Sequence, residues 1–298
     1  MKPLEGRKRR FGDRKDGFRV RNLDPMGRLE PYIMRTRSDA WVLFEDKIDI
    51  THTQDFLHEM RRGPIPGLTL YHIVFAAIAR AYSQIPQLNR FIAGNRLYAR
   101  NEIKACMTIL KEMNRNSESS VIMPRFELEG TLPEAVAEIE RLTNPIKKGD
   151  EGDDFDAMAK VFDYLPGFLL DFVFRILNWL DKRGWVPKFL LDLSPFHTSF
   201  YLTNMGSIGM DPVFHHIYNF GTTSVFGAIG SKEAVYELDR HGQPQRKVYL
   251  NLKFVVDERI CNGFIFALGF KQIKSYISKP EQLMEPPKTV YHDKIDRE

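Results

Sequence analysis

The fold of this chain is constrained most by the seven residues Asp257–Gly263, which join an apolar run to a C-terminal helical pattern. The preceding run, residues 248–256, is rich in Val, Leu and Phe and is typical of a buried strand. The apolar spacing after Gly263 predicts a helix that extends to about Ser278. A polar turn between a strand and a helix lies at the edge of a sheet, where catalytic side chains are often placed. We therefore expect this turn to be functional.

The composition is that of a globular protein with a substantial core. Of 298 residues, 43% are apolar and 28% are charged, which fits one large domain or two modest ones. The two cysteines, Cys106 and Cys261, lie far apart without the spacing of metal ligands, which indicates a reducing, cytoplasmic compartment. No apolar segment follows the basic first residues, so we expect no signal peptide.

The positive charge is concentrated at the N-terminus. Residues 1–37 contain 12 Lys or Arg against 5 Asp or Glu, whereas the whole chain has a net charge of +4. Frequent Gly and Pro in residues 1–31 predict an irregular basic arm, ahead of a domain at 32–285 and a tail at 286–298. We favour a solvated arm or one that contacts another subunit over one that binds nucleic acid or anionic lipid. No helix-turn-helix or RNA-binding motif follows, so we expect no nucleic-acid partner.

Between these ends, strand and helix patterns are interspersed, which predicts an α/β domain with a mixed sheet covered by helices. Thr69 begins the strongest helical pattern, which Pro86 ends, and Gly94-Asn95 between two short apolar runs indicates a hairpin. The other predicted elements are strands at 41–50, 103–111, 120–126, 200–204, 222–229 and 248–256, and helices at 51–60, 132–142 and 263–278.

Five segments carry a resemblance to a known family: Phe44–Thr51, the helix 69–85 with Pro86-Gln87-Leu88-Asn89, Phe200-Tyr201-Leu202-Thr203-Asn204-Met205-Gly206-Ser207-Ile208-Gly209, Ser224–Gly230 and Asp257–Gly263. In this order they resemble the chloramphenicol acetyltransferase-like superfamily, and within it the catalytic domain of the dihydrolipoamide acyltransferases of 2-oxoacid dehydrogenase complexes. The third and fifth are similar to that family's Phe-Thr-Ile-Ser-Asn-Leu-Gly-x-x-Gly and Asp-His-Arg-Val-x-(Asp/Asn)-Gly. The resemblance implies a two-layer fold and a homotrimer with active sites in channels between subunits.

The resemblance also implies roles for individual residues. The family's motif histidine is the general base, and it falls on Glu258; the structural Asn and Gly of the motif fall on Asn262 and Gly263. The hydroxyl that stabilises the oxyanion falls on Thr203, next to the turn residues Asn204, Gly206 and Ser207. The implied reaction transfers an acyl group from a CoA thioester, as co-substrate, to a small-molecule or lipoyl-type thiol, hydroxyl or amine. No permanently bound cofactor is implied.

Glu258 departs from the family pattern, and three hypotheses explain it. The carboxylate could be a repurposed base, which requires burial because a free glutamate with a pKa near 4.3 is a weak base. The chain could instead be an inactive homologue that keeps a binding or assembly role. Alternatively, Glu258 could pair with Arg259 or Arg35 while a histidine in the channel does the chemistry.

Three histidine sites are candidates for that base. His197 precedes the Thr203 strand at even spacing, so we expect it on the same face and keep it as a site residue. His215-His216 resembles the superfamily's double histidine, but the following Asn and Gly are misplaced, so we favour a structural or surface role. His72 is predicted to be a satisfied residue in or near the core.

No metal site is predicted, because no two histidines stand at ligand spacing with a carboxylate. Cys261 lies inside the motif, but nothing nearby would lower the pKa of its thiol, so we expect a packing role.

An apolar helical insertion is predicted at residues 155–193, where the acyltransferase family has a shorter, more polar segment. Asp171, Arg175 and Asn178 form one thin polar stripe on an otherwise apolar helix, which is too short and too charged to span a bilayer. We favour burial of this insertion against the core or across the trimer interface. An interfacial membrane helix and a lid over a bulky acyl group are the alternatives, so peripheral membrane contact is not the favoured interpretation.

Overall fold

The computed structural model describes residues 7–110, 119–148 and 164–296. Its strands are β1 (Gly17–Arg19), β2 (Trp41–Asp49), β3 (Arg90–Ala93), β4 (Arg96–Arg100), β5 (Ile103–Leu110), β6 (Ser119–Ile122), β7 (Arg125–Phe126), β8 (Phe200–Asn204), β9 (Val225–Leu238) and β10 (Pro244–Asp257). Its helices are α1 (Pro25–Ile33), α2 (Thr51–Arg62), α3 (Leu70–Gln84), α4 (Leu132–Lys148), α5 (Gly167–Arg183), α6 (Lys188–Leu193) and α7 (Gly263–Ser278).

The central sheet is mixed, as the sequence predicts. Its order is β2-β10-β9-β8-β5-β6, with β7 also paired to β5. Strand β8 runs parallel to both of its neighbours, β5 and β9, and the other pairs are antiparallel. A second sheet has the order β1-β4-β3, and the turn between β3 and β4 is the predicted hairpin at Gly94-Asn95, where φ is 53° and 57°.

Strand β10 positions the motif turn. It lies between β2 and β9, and its register with β2 runs from Tyr249 opposite Asp49 to Asp257 opposite Trp41. Pairing on both sides fixes the strand along this whole length, so the turn after Asp257 has a defined place at the end of the sheet. One face of the strand is buried in the core through Leu250, Leu252, Phe254 and Val256.

Helices α3 and α7 cover this buried face of the sheet. Helix α3 begins with a capping box, in which the Thr69 hydroxyl and the His72 ring each accept a backbone N–H of the other residue, both at 3.3 Å. Helix α7 has the predicted bounds, and Gly269 on it lets Leu88 approach closely, since a Cβ there would lie 2.6 Å from a Leu88 methyl carbon.

The N-terminal arm is ordered in part, so the prediction of an irregular arm at 1–31 is wrong for β1 and α1. Phe18 in β1 is buried and pairs with Ala99 of β4, which makes the arm part of the folded unit. The tail is also packed: Ile295 is buried, and Asp293 accepts two hydrogen bonds from Arg90, both at 2.6 Å.

Several boundaries differ from the sequence prediction. The strands predicted at 222–229 and 248–256 are longer, at Val225–Leu238 and Pro244–Asp257, and two further differences occur at prolines. Helix α4 continues through Pro145 to Lys148, because a proline removes only one helical hydrogen bond and burial of Ile146 holds the last turn. The strand predicted at 120–126 is split into β6 and β7 around Pro124, whose carbonyl still accepts a hydrogen bond from Ala105.

The insertion forms α5 and α6, and its predicted burial against the core is wrong. All seventeen residues of α5 are described, and the only buried one is Asp181. The helix meets the core mainly through its C-terminal end, where the carbonyl of Lys182 lies close to Gly94 of the hairpin. Burial across a subunit interface stays a prediction, and residues 155–163 of the insertion lie outside the described residues. Within the described ranges, no helix is long and apolar enough to cross a membrane.

Candidate functional site

The motif turn is built on a buried ion pair. Asp257 is fully buried, and its carboxylate accepts two hydrogen bonds from the guanidinium of Arg259, both at 2.7 Å. It also accepts the backbone N–H of Arg259 at 3.2 Å. A second buried guanidinium, that of Arg37, lies 3.9 Å from the same carboxylate. These contacts hold the helical turn Glu258–Ile260 rigidly against the end of β10.

Glu258 projects from this turn into solvent. The predicted ion pair between Glu258 and Arg259 is wrong, because the Arg259 guanidinium is held by Asp257 and donates to the carbonyl of Met34 at 2.8 Å. The charge of Glu258 acts on Glu30 of α1. Burial raises the pKa of Glu30, and the negative charge of Glu258 adds to the shift. Helix α1 packs against the turn Glu258–Ile260, close enough for the charge of Glu258 to act on Glu30.

The end of the motif starts α7. The Asn262 side chain caps the helix by accepting the N–H of Ile265 at 3.0 Å, so its role in this chain is to set the direction of α7. Gly263 stands at the first helical position with no atom within 4 Å of where a Cβ would be. Cys261 is buried, and burial raises the pKa of its thiol, which agrees with packing rather than nucleophilic chemistry.

The second candidate half-site follows β8. Thr203 is half-buried, and the Asn204 side chain accepts the N–H of Ser207 at 3.2 Å while the Ser207 hydroxyl donates to the Asn204 carbonyl at 2.8 Å. Gly206 lies directly on β9, since a Cβ would stand 2.4 Å from the carbonyl oxygen of Gly230. This turn holds the end of β8, and therefore the Thr203 hydroxyl, in one position.

The two half-sites are far apart in one chain. Thr203 of β8 pairs with Ala228 of β9. On the other side of β9, Val256 of β10 pairs with Val225, and Glu258 follows Val256 by two residues. When this register is continued, Glu258 stands level with about position 223, five residues from Ala228. Five residues correspond to about 17 Å along the strands, and the two strand spacings from β8 to β10 add about 10 Å across them. Thr203 and Glu258 are therefore about 20 Å apart and cannot act on one carbonyl group within a single chain.

His197 is buried and lies in the bends before β8, which begins three residues later at Phe200. The strand alternation from which we expect it on the face of Thr203 therefore does not apply to it. Its Nδ1 lies 2.7 Å from the Ser194 hydroxyl, and its Nε2 lies 3.3 Å from Asp181 of α5. Burial alone would raise the pKa of Asp181, but the hydrogen bond with His197 and the charge of Arg14 outweigh it and hold that pKa well below its usual range.

The double histidine lies on the opposite face of the sheet from α3 and α7. The His215 ring stacks on Phe226 at 4.0 Å, which fits the structural role predicted for it. His216 is exposed and stacks on Trp41 at 6.5 Å. Because Trp41 pairs with Asp257, the His216 imidazole stands at the same end of the sheet as Glu258.

Three residues of this region escape sequence reasoning: Glu30 beside Glu258, Arg37 beside Asp257, and Lys104. Burial lowers the pKa of Lys104 to about 8, and its Nζ donates to the carbonyl of Leu191 at 2.8 Å. It lines a cleft of about 270 Å³ together with His197. No local pattern marks these residues, because their partners lie far away in sequence. The described part of the chain holds no cluster of three or more His, Cys, Asp or Glu side chains suited to a metal ion.

Comparison with known proteins places the fold. No family model and no curated protein sequence matches the chain. Its structure is similar to a probable dihydrolipoamide acetyltransferase from Listeria monocytogenes, with a TM-score of 0.54 and 15% identity over 90% of this chain and 97% of the other. It is also similar to the cubic core of the pyruvate dehydrogenase multienzyme complex, with a TM-score of 0.55 and 15% identity over 87% and 88%.

A third similar structure is dihydrolipoamide acetyltransferase from Azotobacter vinelandii, with a TM-score of 0.54 and 15% identity over 88% of this chain and 93% of the other. That protein was studied for the role of a serine, a histidine and an asparagine in its catalytic mechanism. At this identity the likeness establishes the fold. The chain has the α/β fold of dihydrolipoamide acyltransferase catalytic cores, which is the chloramphenicol acetyltransferase-like fold that the sequence resembles.

Proposed function

We propose that this protein transfers an acyl group from a CoA thioester to a thiol, hydroxyl or amine acceptor at sites formed between the subunits of a homotrimer. The feature that carries the proposal is the separation of the two motif turns by about 20 Å. The turns lie at opposite ends of the sheet, so they come together when the Thr203 end of one subunit meets the Glu258 end of the next. The cubic core among the similar structures is itself an assembly.

In the proposed reaction, the acceptor loses its proton to the base and attacks the thioester carbonyl carbon. The Thr203 hydroxyl donates a hydrogen bond to the oxyanion that develops there. The carbon–sulfur bond then breaks, CoA leaves as the thiolate, and the proton returns to it from the base. Asn262 and the Asp257–Arg259 pair act by positioning the turn.

Glu258 is the proposed base, with Glu30 beside it. A neighbouring subunit would remove water from the turn, and this is the burial that a carboxylate base requires. His216, at the same end of the sheet, is the other group that could accept the proton.

The competing proposal is an inactive homologue that binds a ligand or assembles a complex. The exposed position of Glu258 favours this proposal. In addition, a carboxylate stands where the family has an imidazole, and it lacks the two ring nitrogens through which an imidazole both donates and accepts.

The test is acyl transfer from acetyl-CoA and longer acyl-CoA thioesters to dihydrolipoamide, a hydroxyl acceptor and an amine, with CoA and acyl-CoA separated by chromatography. Glu258→Gln and Thr203→Ala should each lower kcat by about 100-fold or more. Glu59→Gln, which changes an exposed glutamate on α2, is the matched control and should retain full activity.

The remaining variants separate the hypotheses. If His216→Ala loses activity and Glu258→Gln keeps it, the base is His216. An inactive wild-type protein that becomes active as Glu258→His would support the inactive homologue. If neither the wild-type protein nor Glu258→His turns over any donor, acyl transfer is refuted.

A further inference from the structure

Helices α5 and α6 carry an aromatic face that nothing in the described chain covers. Its members are 47% to 77% exposed, and they lie together on two consecutive helices and the link between them. Monomeric soluble proteins seldom expose a contiguous apolar patch of this kind unless it meets a partner or a membrane. We define the aromatic face as Phe168, Phe172, Trp179, Trp185 and Phe189.

Helix α5 is anchored at its C-terminal end by a charged residue. Its one fully buried residue is Asp181, which accepts a hydrogen bond from Arg14 at 2.6 Å. This contact ties the C-terminal end of the helix to the N-terminal arm. Apolar side chains elsewhere on α5, such as Leu177 and Leu180, are half-buried, so the aromatic face is the exposed side of the helix.

The arm brings its positive charge to the same place. Arg9 and Lys15 share the walls of the 270 Å³ cleft with Lys188 of α6, so the arm lies alongside the insertion. The guanidinium of Arg183 stacks on Trp179 at 3.9 Å, which places a cation directly at the aromatic face. We define the cationic rim as Arg9, Lys15, Lys182 and Arg183.

Among the described residues of α5 and α6, the solvent-accessible acidic side chains are paired. Asp171 pairs with Arg175 at 2.9 Å, and Asp192 pairs with Lys188 at 2.7 Å. Lys182, Arg183 and Lys15 are exposed, so the surface offers aromatic rings bordered by positive charge.

We propose that the aromatic face and the cationic rim dock this protein on an anionic phospholipid membrane. Trp and Phe rings beside Lys and Arg fit the boundary between headgroups and acyl chains, where the rings are buried and the cations meet phosphate. Helix α5, with 17 residues, would lie in the plane of the interface and not cross it. Two copies joined face to face would bring two cationic rims together, which disfavours a two-fold contact through this face. A contact between this face and a different surface of a second copy is an outcome of the test.

The proposal is tested by co-sedimentation of the full-length protein with vesicles of phosphatidylcholine, with and without 30% phosphatidylserine. Binding should require phosphatidylserine and weaken with salt. Phe172→Asp/Trp179→Asp should lower the partition coefficient at least tenfold, and Lys182→Gln/Arg183→Gln by about fivefold for each charge removed. Tyr236→Asp and Arg240→Gln/Arg246→Gln, at the far end of the β9–β10 pair, are the matched controls and should bind as the wild-type protein does.

Three results would overturn the proposal. The first is a wild-type protein that stays in solution with both kinds of vesicle. The second is binding that the aromatic double variant leaves unchanged, since another surface would then meet the lipid. The third is loss of the oligomer in Phe172→Asp/Trp179→Asp without vesicles, measured by sedimentation velocity, which would assign the aromatic face to a second copy. Acyl transfer in solution is measured separately, so failure here leaves the proposed reaction unaffected.

Discussion

At the residue scale, the motif turn depends on charges that are buried beneath it. Asp257, Arg259 and Arg37 are each less than a tenth exposed, with one carboxylate facing two guanidinium groups. Burial lowers the pKa of Arg37 to about 10 even though Asp257 opposes the shift. Removal of one member of such a cluster leaves an uncompensated buried charge, which costs more than the intact pair contributes.

Asp257→Asn should therefore destabilise the fold by about 3–5 kcal/mol, since both arginines lose their counter-charge. Urea denaturation measures the change. Glu258→Gln is the matched control, because it removes a neighbouring carboxylate that is exposed, and its effect should stay within about 0.5 kcal/mol. Equal effects of the two substitutions would contradict the role assigned to Asp257.

Lys104 gives a pH-dependent test of a second buried charge. Its pKa of about 8 lies below the value near 10.4 of an unfolded lysine, so between these values the unfolded chain binds more protons and stability rises with pH. Lys104→Met should remove this rise, which is on the order of 3 kcal/mol when complete. The free energy of unfolding is compared at pH 7.5, 8.0, 8.5 and 9.0, which stays about one pH unit below the pKa near 10 of unfolded tyrosine.

Lys274→Met, which changes an exposed lysine of α7, is the control for that series and should keep the wild-type slope. A slope that Lys104→Met leaves unchanged would show that Lys104 stays charged throughout this range.

At the element scale, the two motif glycines are predicted to behave in opposite ways. Gly206→Ala places a methyl group 2.4 Å from the Gly230 carbonyl, so the turn after β8 must move, at a cost of about 1–3 kcal/mol. Gly263→Ala meets open space at the start of α7 and should stabilise the helix by up to about 1 kcal/mol. Thermal unfolding of the two variants checks the order, and a larger loss in Gly263→Ala would contradict it.

The sequence predicts most elements because their signals are local. Thr69, Pro86 and Gly94-Asn95 act within a few residues, and the structure has the corresponding helix and hairpin. The arm is different, since Phe18 pairs with Ala99, more than 80 residues away, and its Gly and Pro content gives no sign of that partner. The candidate site is predictable only in its two turns. The approach of Glu30 to Glu258 depends on how α1 packs.

The insertion shows where apolar periodicity is insufficient. An apolar helix predicts that something covers it, and the core is the nearest candidate. Which surface does so depends on where the helix is anchored, and here that is the contact between Asp181 and Arg14, 167 residues apart. The polar stripe of α5 contains that anchor, but its partner is not visible in the sequence.

At the scale of the whole molecule, the proposed site between subunits makes a quantitative prediction. Thr203→Ala and Glu258→Gln subunits, each inactive alone, should regain activity when they are mixed and reassembled. Every mixed trimer then contains one interface with both native side chains, so equal amounts should give about a quarter of wild-type activity. Tagged subunits and the acyl-transfer assay measure this recovery. If trimers that are shown to be mixed recover no activity, Thr203 and Glu258 do not act together across a subunit interface, which contradicts the prediction.

The position of β10 also has a consequence for synthesis. It is the last strand to be made, yet it lies between β2 and β9 in the sheet. Until it leaves the ribosome, β2 lacks this neighbour and β9 presents an open edge that can pair with other chains. Pairing of β2 with β10 joins residues about 200 positions apart, and such distant contacts form slowly. The nascent chain therefore exposes a strand edge that is prone to aggregation until the strand that carries the motif turn closes the sheet.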